Sequence, residues 1–135
     1  MALVEEARAQ VKKYVEYGLP LMHCDSHCHM HTRLPIARIL FPILKEYGFK
    51  SVRRPYNLGF GWNLRDTMRR FRNGLFAVER IKAGLKTTKG FGDVGKWGMD
   101  DVEIMVHPRY NDKGILVNCT DYKNNDGRPM DSLAI

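Results

Sequence analysis

The stretch LPLMHCDSHCHMHTRLPIARILFPILKEYGFKSVRRP, residues 19 to 55, decides the fold class. It opens with a short apolar run that predicts a strand leading into a histidine cluster. Pro35 suits the first turn of a helix that Gly48 ends, and Pro42 inside it predicts a kink. Residues 49 to 55 predict a second strand. Strand, helix and strand in this order predict parallel strands with a covering helix.

The flanking segments continue this alternation. An amphipathic helix is predicted before Gly18, and a basic, mostly helical segment at residues 64 to 86. The glycine-containing segment 87 to 100 reads as a loop, and residues 101 to 107 read as a strand that ends at a histidine. From Pro108 onward the sequence is polar and predicts turns. We therefore predict an α/β domain with mainly parallel strands and covering helices.

Length and composition bound the class of protein. The chain has 135 residues, 44% of them hydrophobic and 27% charged, which predicts one soluble domain spanning residues 1 to 135. It contains neither an apolar run of about 20 residues nor the apolar core of a secretory signal, so we expect a cytoplasmic protein without membrane contact. The cysteines are odd in number and wrongly spaced for a structural zinc site, so we read them as free thiols: Cys24, Cys28 and Cys119.

The histidine cluster carries the chemistry. In an extended backbone, alternate side chains face the same way, which would place Asp25, His27, His29 and His31 on one face. In a helix, His27 and His31 would still share a face. Imidazoles and a carboxylate can hold a divalent metal that activates water. The alternatives without a metal are a histidine-rich surface loop and hydrogen-bonded histidines that support a turn.

His107 is the histidine outside the cluster. It ends a predicted strand, at the edge of the sheet where the cluster also falls. A histidine in that place can donate a proton to a leaving group or act as a further metal ligand.

Three stretches together resemble a known family: HCDSHCHMH at residues 23 to 31, LPIARILFPILKEYGFKSVRRPYNLG at 34 to 59, and DVEIMVHPRYND at 101 to 112. They resemble the C-terminal half of the YdjC-like carbohydrate deacetylases, over roughly residues 10 to 115. The resemblance implies a partial (β/α) barrel. It also implies a hydrolase that uses a divalent metal, magnesium or zinc, to remove acetyl groups from N-acetylated sugars or oligosaccharides.

The same resemblance implies roles for individual residues. His27 matches a metal ligand, with His29 and His31 lining the same site. Asp25 and His107 match catalytic positions. The positions that match the substrate-facing loop are Arg53 and Asn57.

The family's N-terminal half, with its Asp-Asp strand end, has no counterpart in this sequence. The resemblance therefore implies a truncated site. Half a barrel also leaves strand edges unpaired, so we expect association either with a second copy of the chain or with a missing N-terminal half.

Two alternatives stay open at this stage. The His-x-His pattern is also found in amidohydrolase-like metal phosphoesterases, although these need more histidines from later strands than the chain supplies. A basic nucleic-acid-binding module is the other, because Arg65, Arg69 and Arg72 form a helical stripe near aromatic side chains. On that helix the apolar positions predict a buried side, namely Met68, Phe71, Leu75 and Val78.

Overall fold

A computed structural model describes residues 2 to 59, 61 to 93, 98 to 118 and 128 to 129. The helices are α1 (Ala2–Glu16), α2 (Leu34–Glu46) and α3 (Leu64–Lys82). The first strands are β1 (His23–Cys24), β2 (Ser51–Val52), β3 (Gly90–Asp93) and β4 (Val102–Met105). The last three are β5 (Pro108–Tyr110), β6 (Leu116–Asn118) and β7 (Arg128–Pro129). The α/β class is confirmed.

The strands on either side of α2 pair in parallel, as expected for two strands joined by a helix. His23 of β1 lies opposite Ser51 of β2, and Ser51 in turn forms a parallel bridge to Lys86. A second parallel pair joins β3 to β4, with Phe91 opposite Glu103. Among the described residues, the strands up to β4 form two small parallel sheets, and no sheet closes into a barrel.

The core lies between the helices and the β1–β2 pair. Phe41 and Leu44 of α2 are almost fully buried, as is Val52 of β2. The ring of Phe41 meets that of Phe76 from α3 edge to face, at 5.3 Å between centroids. The helix continues through Pro42 to Glu46. This packing holds α2 and α3 beside the carboxyl end of β1.

The segment predicted as a loop at residues 87 to 100 contains strand β3, so that prediction is wrong for residues 90 to 93. The glycines that suggested a loop instead allow close packing. A Cβ added at Gly92 would lie 3.0 Å from the Cβ of Leu58, and one at Gly90 would lie 3.2 Å from Leu58 Cδ2. Glycine in a strand often marks such a close approach.

The segment after Pro108 also differs from the prediction of turns. β5, β6 and β7 form an antiparallel sheet in which Arg109 lies opposite Val117. Val117 is fully buried, so this sheet has a packed side.

The apolar stripe of α3 is exposed, which contradicts the prediction that it is buried. Met68 and Phe71 are 61% and 69% exposed. The residues that α3 buries are Asp66 and Phe76. The prediction failed because both faces of this helix carry apolar residues, and helical spacing alone does not tell which face meets the core.

Within the part of the chain that the structure describes, no helix has the length and apolar character needed to cross a membrane.

Candidate functional site

The chain turns sharply where β1 ends. Residues His27–Thr32 form a 3₁₀ turn in which Cys28 and His29 have left-handed φ angles of 51° and 56°. Ser26 holds the turn, because its backbone oxygen accepts from the amide of His29 and its hydroxyl oxygen accepts from the amide of His31 at 2.9 Å. The extended arrangement of alternate side chains is therefore wrong beyond Ser26. The helical alternative is also wrong, because left-handed residues interrupt the turn.

The turn brings the Asp25 carboxylate and the His29 imidazole to one guanidinium group. Nη2 of Arg53 lies 2.6 Å from Oδ1 of Asp25 and donates to Nδ1 of His29 at 2.7 Å. The guanidinium carbon also lies 4.5 Å from the ring centroid of Phe91, close enough for a cation–π contact. Arg53 is 8% exposed, so these contacts replace water around a buried charge.

His29 is held in its neutral form. Burial lowers its pKa, and the positive charge of Arg53 lowers it further. Since Arg53 can only donate, Nδ1 of His29 must accept, and the ring proton of the neutral form lies on Nε2. A neutral imidazole whose Nε2–H is fixed by a neighbour is suited to donate a hydrogen bond.

His31 is completely buried, and both of its ring nitrogens are engaged. Nε2 lies 2.9 Å from the backbone oxygen of Arg53, which can only accept, so Nε2 donates. Nδ1 then accepts from the Ser26 hydroxyl at 2.7 Å. Burial lowers the pKa of His31 to about 4. This histidine thus ties the turn after β1 to the end of β2.

The sequence profile of the YdjC-like protein family matches residues 1–131. The chain belongs to the YdjC-like family. Among its curated relatives, a carbohydrate deacetylase of Vibrio cholerae serotype O1 is 30% identical over 90% of this chain and 45% of the relative. Carbohydrate deacetylases of Vibrio campbellii and Brevibacillus brevis are each 31% identical, over 85% and 82% of this chain and 43% and 44% of the relatives.

This YdjC-like chain therefore spans somewhat less than half the length of the curated relatives it matches. No solved structure matches it.

The remaining predicted residues of the YdjC-like chain lie in different surroundings. His27 is exposed. The Asn57 side chain is engaged by backbone groups, since its Oδ1 accepts from the amide of Phe91 at 2.8 Å and its Nδ2 donates to the oxygen of Lys89. The backbone amide of His107 donates to Asn118 Oδ1 at 2.6 Å. Burial and Arg53 are the main causes that lower the pKa of His29, and His107 is a minor one.

The described residues do not fit a metal ion as they stand. No group of three or more His, Cys, Asp or Glu side chains among them is arranged to hold one. Asp25 and His29 are two suitable donors, but the cationic Nη2 of Arg53 contacts both, and His31 has no ring nitrogen left. The ligand set His27, His29 and His31 stays a prediction.

Sequence reasoning missed Glu103. Its Oε1 lies 3.7 Å from Nε2 of His23, whose Nδ1 lies 2.8 Å from the hydroxyl of Ser51. Burial raises the pKa of Glu103, and its Oε2 is buried without a hydrogen-bond partner among the described residues. The signal was available, since Glu103 lies within the EIMVHP stretch, four residues before the histidine that was singled out.

Proposed function

We propose that this chain carries the histidine-bearing part of a hydrolase that removes acetyl groups from N-acetylated sugars or oligosaccharides. Membership of the YdjC-like family supports the proposal, as do relatives that are named carbohydrate deacetylases. The partners of the chain in this proposal are the N-acetylated sugar and either a second copy of the chain or the part of the family's fold that lies outside the matched length. In such an assembly, the two parallel pairs β1–β2 and β3–β4 would belong to one partial (β/α) barrel.

One observation carries the proposal: the Arg53 guanidinium that Asp25 and His29 share. The three groups meet just beyond the ends of β1 and β2, the edge where α/β folds place ligand sites. A carboxylate can accept a proton, a neutral imidazole can donate a hydrogen bond to developing negative charge, and a guanidinium that contacts both fixes their positions. The arrangement thus suits attack on a carbonyl group.

Amide hydrolysis adds water to the acetyl carbon and then expels the sugar amine. In the proposed reaction, Asp25 takes a proton from the attacking water. His29 donates from Nε2 to the carbonyl oxygen as negative charge develops there. His107 supplies a proton to the departing amine. Arg53 acts through Asp25 and His29 by holding both in place, and is a positioning residue.

The family resemblance also implies a divalent metal, either magnesium or zinc. The described donors do not fit a metal as they stand, and the steps above use only side chains of this chain. Neither the phosphoesterase nor the nucleic-acid alternative is favoured by a contact among the described residues.

The test is acetate release from N,N′-diacetylchitobiose by the 135-residue chain, with and without added magnesium or zinc and after chelation. We expect Asp25→Asn and His29→Ala to abolish release. Glu46→Gln, an exposed carboxylate change on α2, serves as the matched control and should retain it. Equal rates in all four proteins would contradict the assignment of the site, and no release under any condition would exclude a second copy of the chain as a sufficient partner.

A further inference from the structure

The outer face of α3 is apolar although it points into solvent. Its side chains follow one another at alternating intervals of four and three residues, so they lie in one row along the helix. Their exposure ranges from 36% to 78%, and the row is made of Leu64, Met68, Phe71, Leu75 and Val78. At the ordinary rise of a helix the row is about 21 Å long. A continuous exposed apolar surface of this kind marks an interaction site, whereas single exposed apolar residues do not.

The side of α3 that packs against the protein lies opposite to this row. Phe76 is 2% exposed and meets the ring of Phe41 from α2, and Asp66 is 7% exposed. Each of these two residues lies five positions from Phe71, which corresponds to about 140° around the helix axis. The outer face is therefore not the surface through which α3 joins its own core.

The exposed charge beside the outer face is positive. Arg65 and Arg72 are exposed and follow Leu64 and Phe71 on the same flank of the row. The acidic residues of α3 are turned away from solvent, since Asp66 is buried and the side chain of Glu79 is 17% exposed. Between residues 53 and 89 the sequence contains ten Lys or Arg and two acidic residues. A partner that reaches this face thus meets apolar side chains bordered by cations.

Trp62 is a further exposed apolar side chain at the start of α3. It is 96% exposed and lies two residues before Leu64. The guanidinium carbon of Arg70 lies 5.3 Å from the centroid of its ring, which is within reach of a cation–π contact. Tryptophan is enriched where lipid tails meet water, because its ring is apolar and its N–H can form a hydrogen bond.

We propose that the outer face of α3 binds the surface of a membrane that contains anionic lipids. A helix with Leu, Phe and Trp on one face and basic residues beside it lies at the boundary of a bilayer, with its apolar side chains inserted about 5 to 10 Å. Anionic headgroups attract the neighbouring Lys and Arg side chains. The expectation of no membrane contact rested on the lack of a run long enough to span a bilayer, and a helix that lies on the surface requires no such run.

The positions of the arginines favour a lipid surface over a second copy of the chain. Two copies that overlap the whole row in antiparallel orientation would have their two-fold axis near Phe71. That axis would bring the Arg72 side chains of both copies together, and like charges repel each other.

The same row favours lipid over nucleic acid. A nucleic acid presents a continuous line of phosphates, which needs basic and polar side chains along its whole length. On α3 the most exposed row is apolar, and the basic residues flank it. A bilayer offers a matching environment to each group, with lipid tails for the row and charged headgroups for the arginines.

The test is sedimentation of the 135-residue chain with unilamellar vesicles. One set of vesicles contains phosphatidylcholine alone, and the other contains equal parts of phosphatidylcholine and phosphatidylglycerol. We expect binding to the anionic set to be tighter by about tenfold or more, and to weaken as salt is added. Trp97 lies outside the described residues, and in Trp97→Phe the one remaining tryptophan is Trp62. Brominated lipid should quench its fluorescence.

Two pairs of substitutions separate the apolar and the charged contributions. Met68→Gln with Phe71→Gln should weaken binding to the anionic vesicles by about tenfold or more, because two large side chains no longer enter the lipid. Arg65→Gln with Arg72→Gln should weaken it by about tenfold and reduce the preference for anionic lipid. All four side chains are exposed, so we expect every variant to fold, and urea unfolding checks this.

Each pair has a matched control elsewhere on the surface. Leu19→Gln with Leu21→Gln changes two apolar side chains that are 50% and 66% exposed. Lys12→Gln with Lys13→Gln removes two exposed positive charges from α1. Both controls should bind the vesicles as the unchanged chain does, and losses equal to those of the α3 variants would overturn the proposal.

Other results would also overturn it. These are equal binding to the two kinds of vesicle, no binding to either, and sedimentation without quenching of Trp62. A dimer that Met68→Gln with Phe71→Gln converts to a monomer would assign the outer face to a second copy. Tighter, salt-sensitive binding of single-stranded RNA, lost in Arg65→Gln with Arg72→Gln, would assign it to nucleic acid. Acetate release enters none of these outcomes, so the proposed hydrolase and the membrane contact are tested separately.

Discussion

The guanidinium of Arg53 meets the carboxylate of Asp25 at 2.6 Å, and through this pair the residue that follows β2 is bound to the residue that follows β1. Two neighbouring parallel strands thus end in opposite charges. The contact is strengthened by the low exposure of Arg53, although Asp25 is 43% exposed and water screens its side of the pair.

Replacing Arg53 should change the titration of His29. Arg53→Met removes a positive charge that lowers the pKa of His29, so this pKa should rise, while burial still holds it down. The free energy of unfolding should fall by roughly 1 to 3 kcal/mol, because Asp25 loses its partner. NMR titration of the histidine rings measures the pKa of His29, and urea unfolding measures the free energy of unfolding. Arg53→Lys keeps the charge and should shift the pKa less; an unchanged titration in Arg53→Met would show that the two groups do not interact.

Acid should destabilise the protein through His31. Its pKa is lowered to about 4 by burial, whereas the unfolded chain has the ordinary value near 6.5. Between about pH 6.5 and pH 4, His31 binds a proton in the unfolded state but not in the folded state, so the free energy of unfolding falls as the pH is lowered. Below about pH 4 both states bind this proton, and the contribution of His31 no longer changes. The loss amounts to roughly 3 kcal/mol.

Urea unfolding at several pH values tests this, with ring NMR as the direct check. The His31 signals should stay constant between pH 7.5 and 5.5. A His31 ring that titrates with a midpoint near 6.5 would contradict its buried, neutral state.

The two described cysteines should differ in reactivity. Burial raises the pKa of Cys24 to about 11, which keeps its thiol protonated and unreactive at pH 8. Cys28 is exposed. Iodoacetamide at pH 8 should therefore label Cys28 much faster than Cys24, and peptide mass spectrometry resolves the two. In Cys28→Ser the fast label should disappear; comparable rates at both thiols would mean that Cys24 is not buried. Cys119 lies outside the described residues.

The first turn of α3 should depend on Asn63. Its Oδ1 accepts from the amide of Asp66 at 2.9 Å, and its Nδ2 donates to Asp66 Oδ2 at 2.9 Å. Asn63→Ala loses this helix cap and should lower the free energy of unfolding by about 1 kcal/mol. Asn63→Ser retains a capping oxygen, so its free energy of unfolding, measured with urea, should fall less than that of Asn63→Ala. Equal losses in both variants would mean that the cap does not stabilise α3.

The sequence predicted the parts of the fold that follow local rules. The helix from Pro35 and the strand before His107 were predictable because proline, glycine and apolar spacing mark their ends. The strand at residues 90 to 93 was not, because its glycines have a long-range cause: they leave room for Leu58, which lies more than 30 residues earlier in the chain.

The candidate site shows the same division. The sequence singled out Asp25, His29 and Arg53, which the structure brings together. It did not predict the left-handed turn that orients them, since no short sequence pattern indicates two consecutive non-glycine residues with left-handed φ angles. The spacing of the histidines in the sequence could not show that both ring nitrogens of His31 form hydrogen bonds, to Ser26 and Arg53. The bond to Arg53 depends on where β2 lies.

The left-handed backbone at Cys28 and His29 also limits which amino acids these positions can accept. Branched side chains such as valine or isoleucine clash with the backbone there, whereas asparagine, aspartate and histidine tolerate it better than most residues. Two constraints therefore act on the amino acid at position 29. Its side chain must be able to contact Arg53, and its backbone must tolerate a left-handed φ angle. Among related sequences, asparagine should be the commonest replacement for this histidine, and an unchanged histidine there is only partly a sign of chemistry.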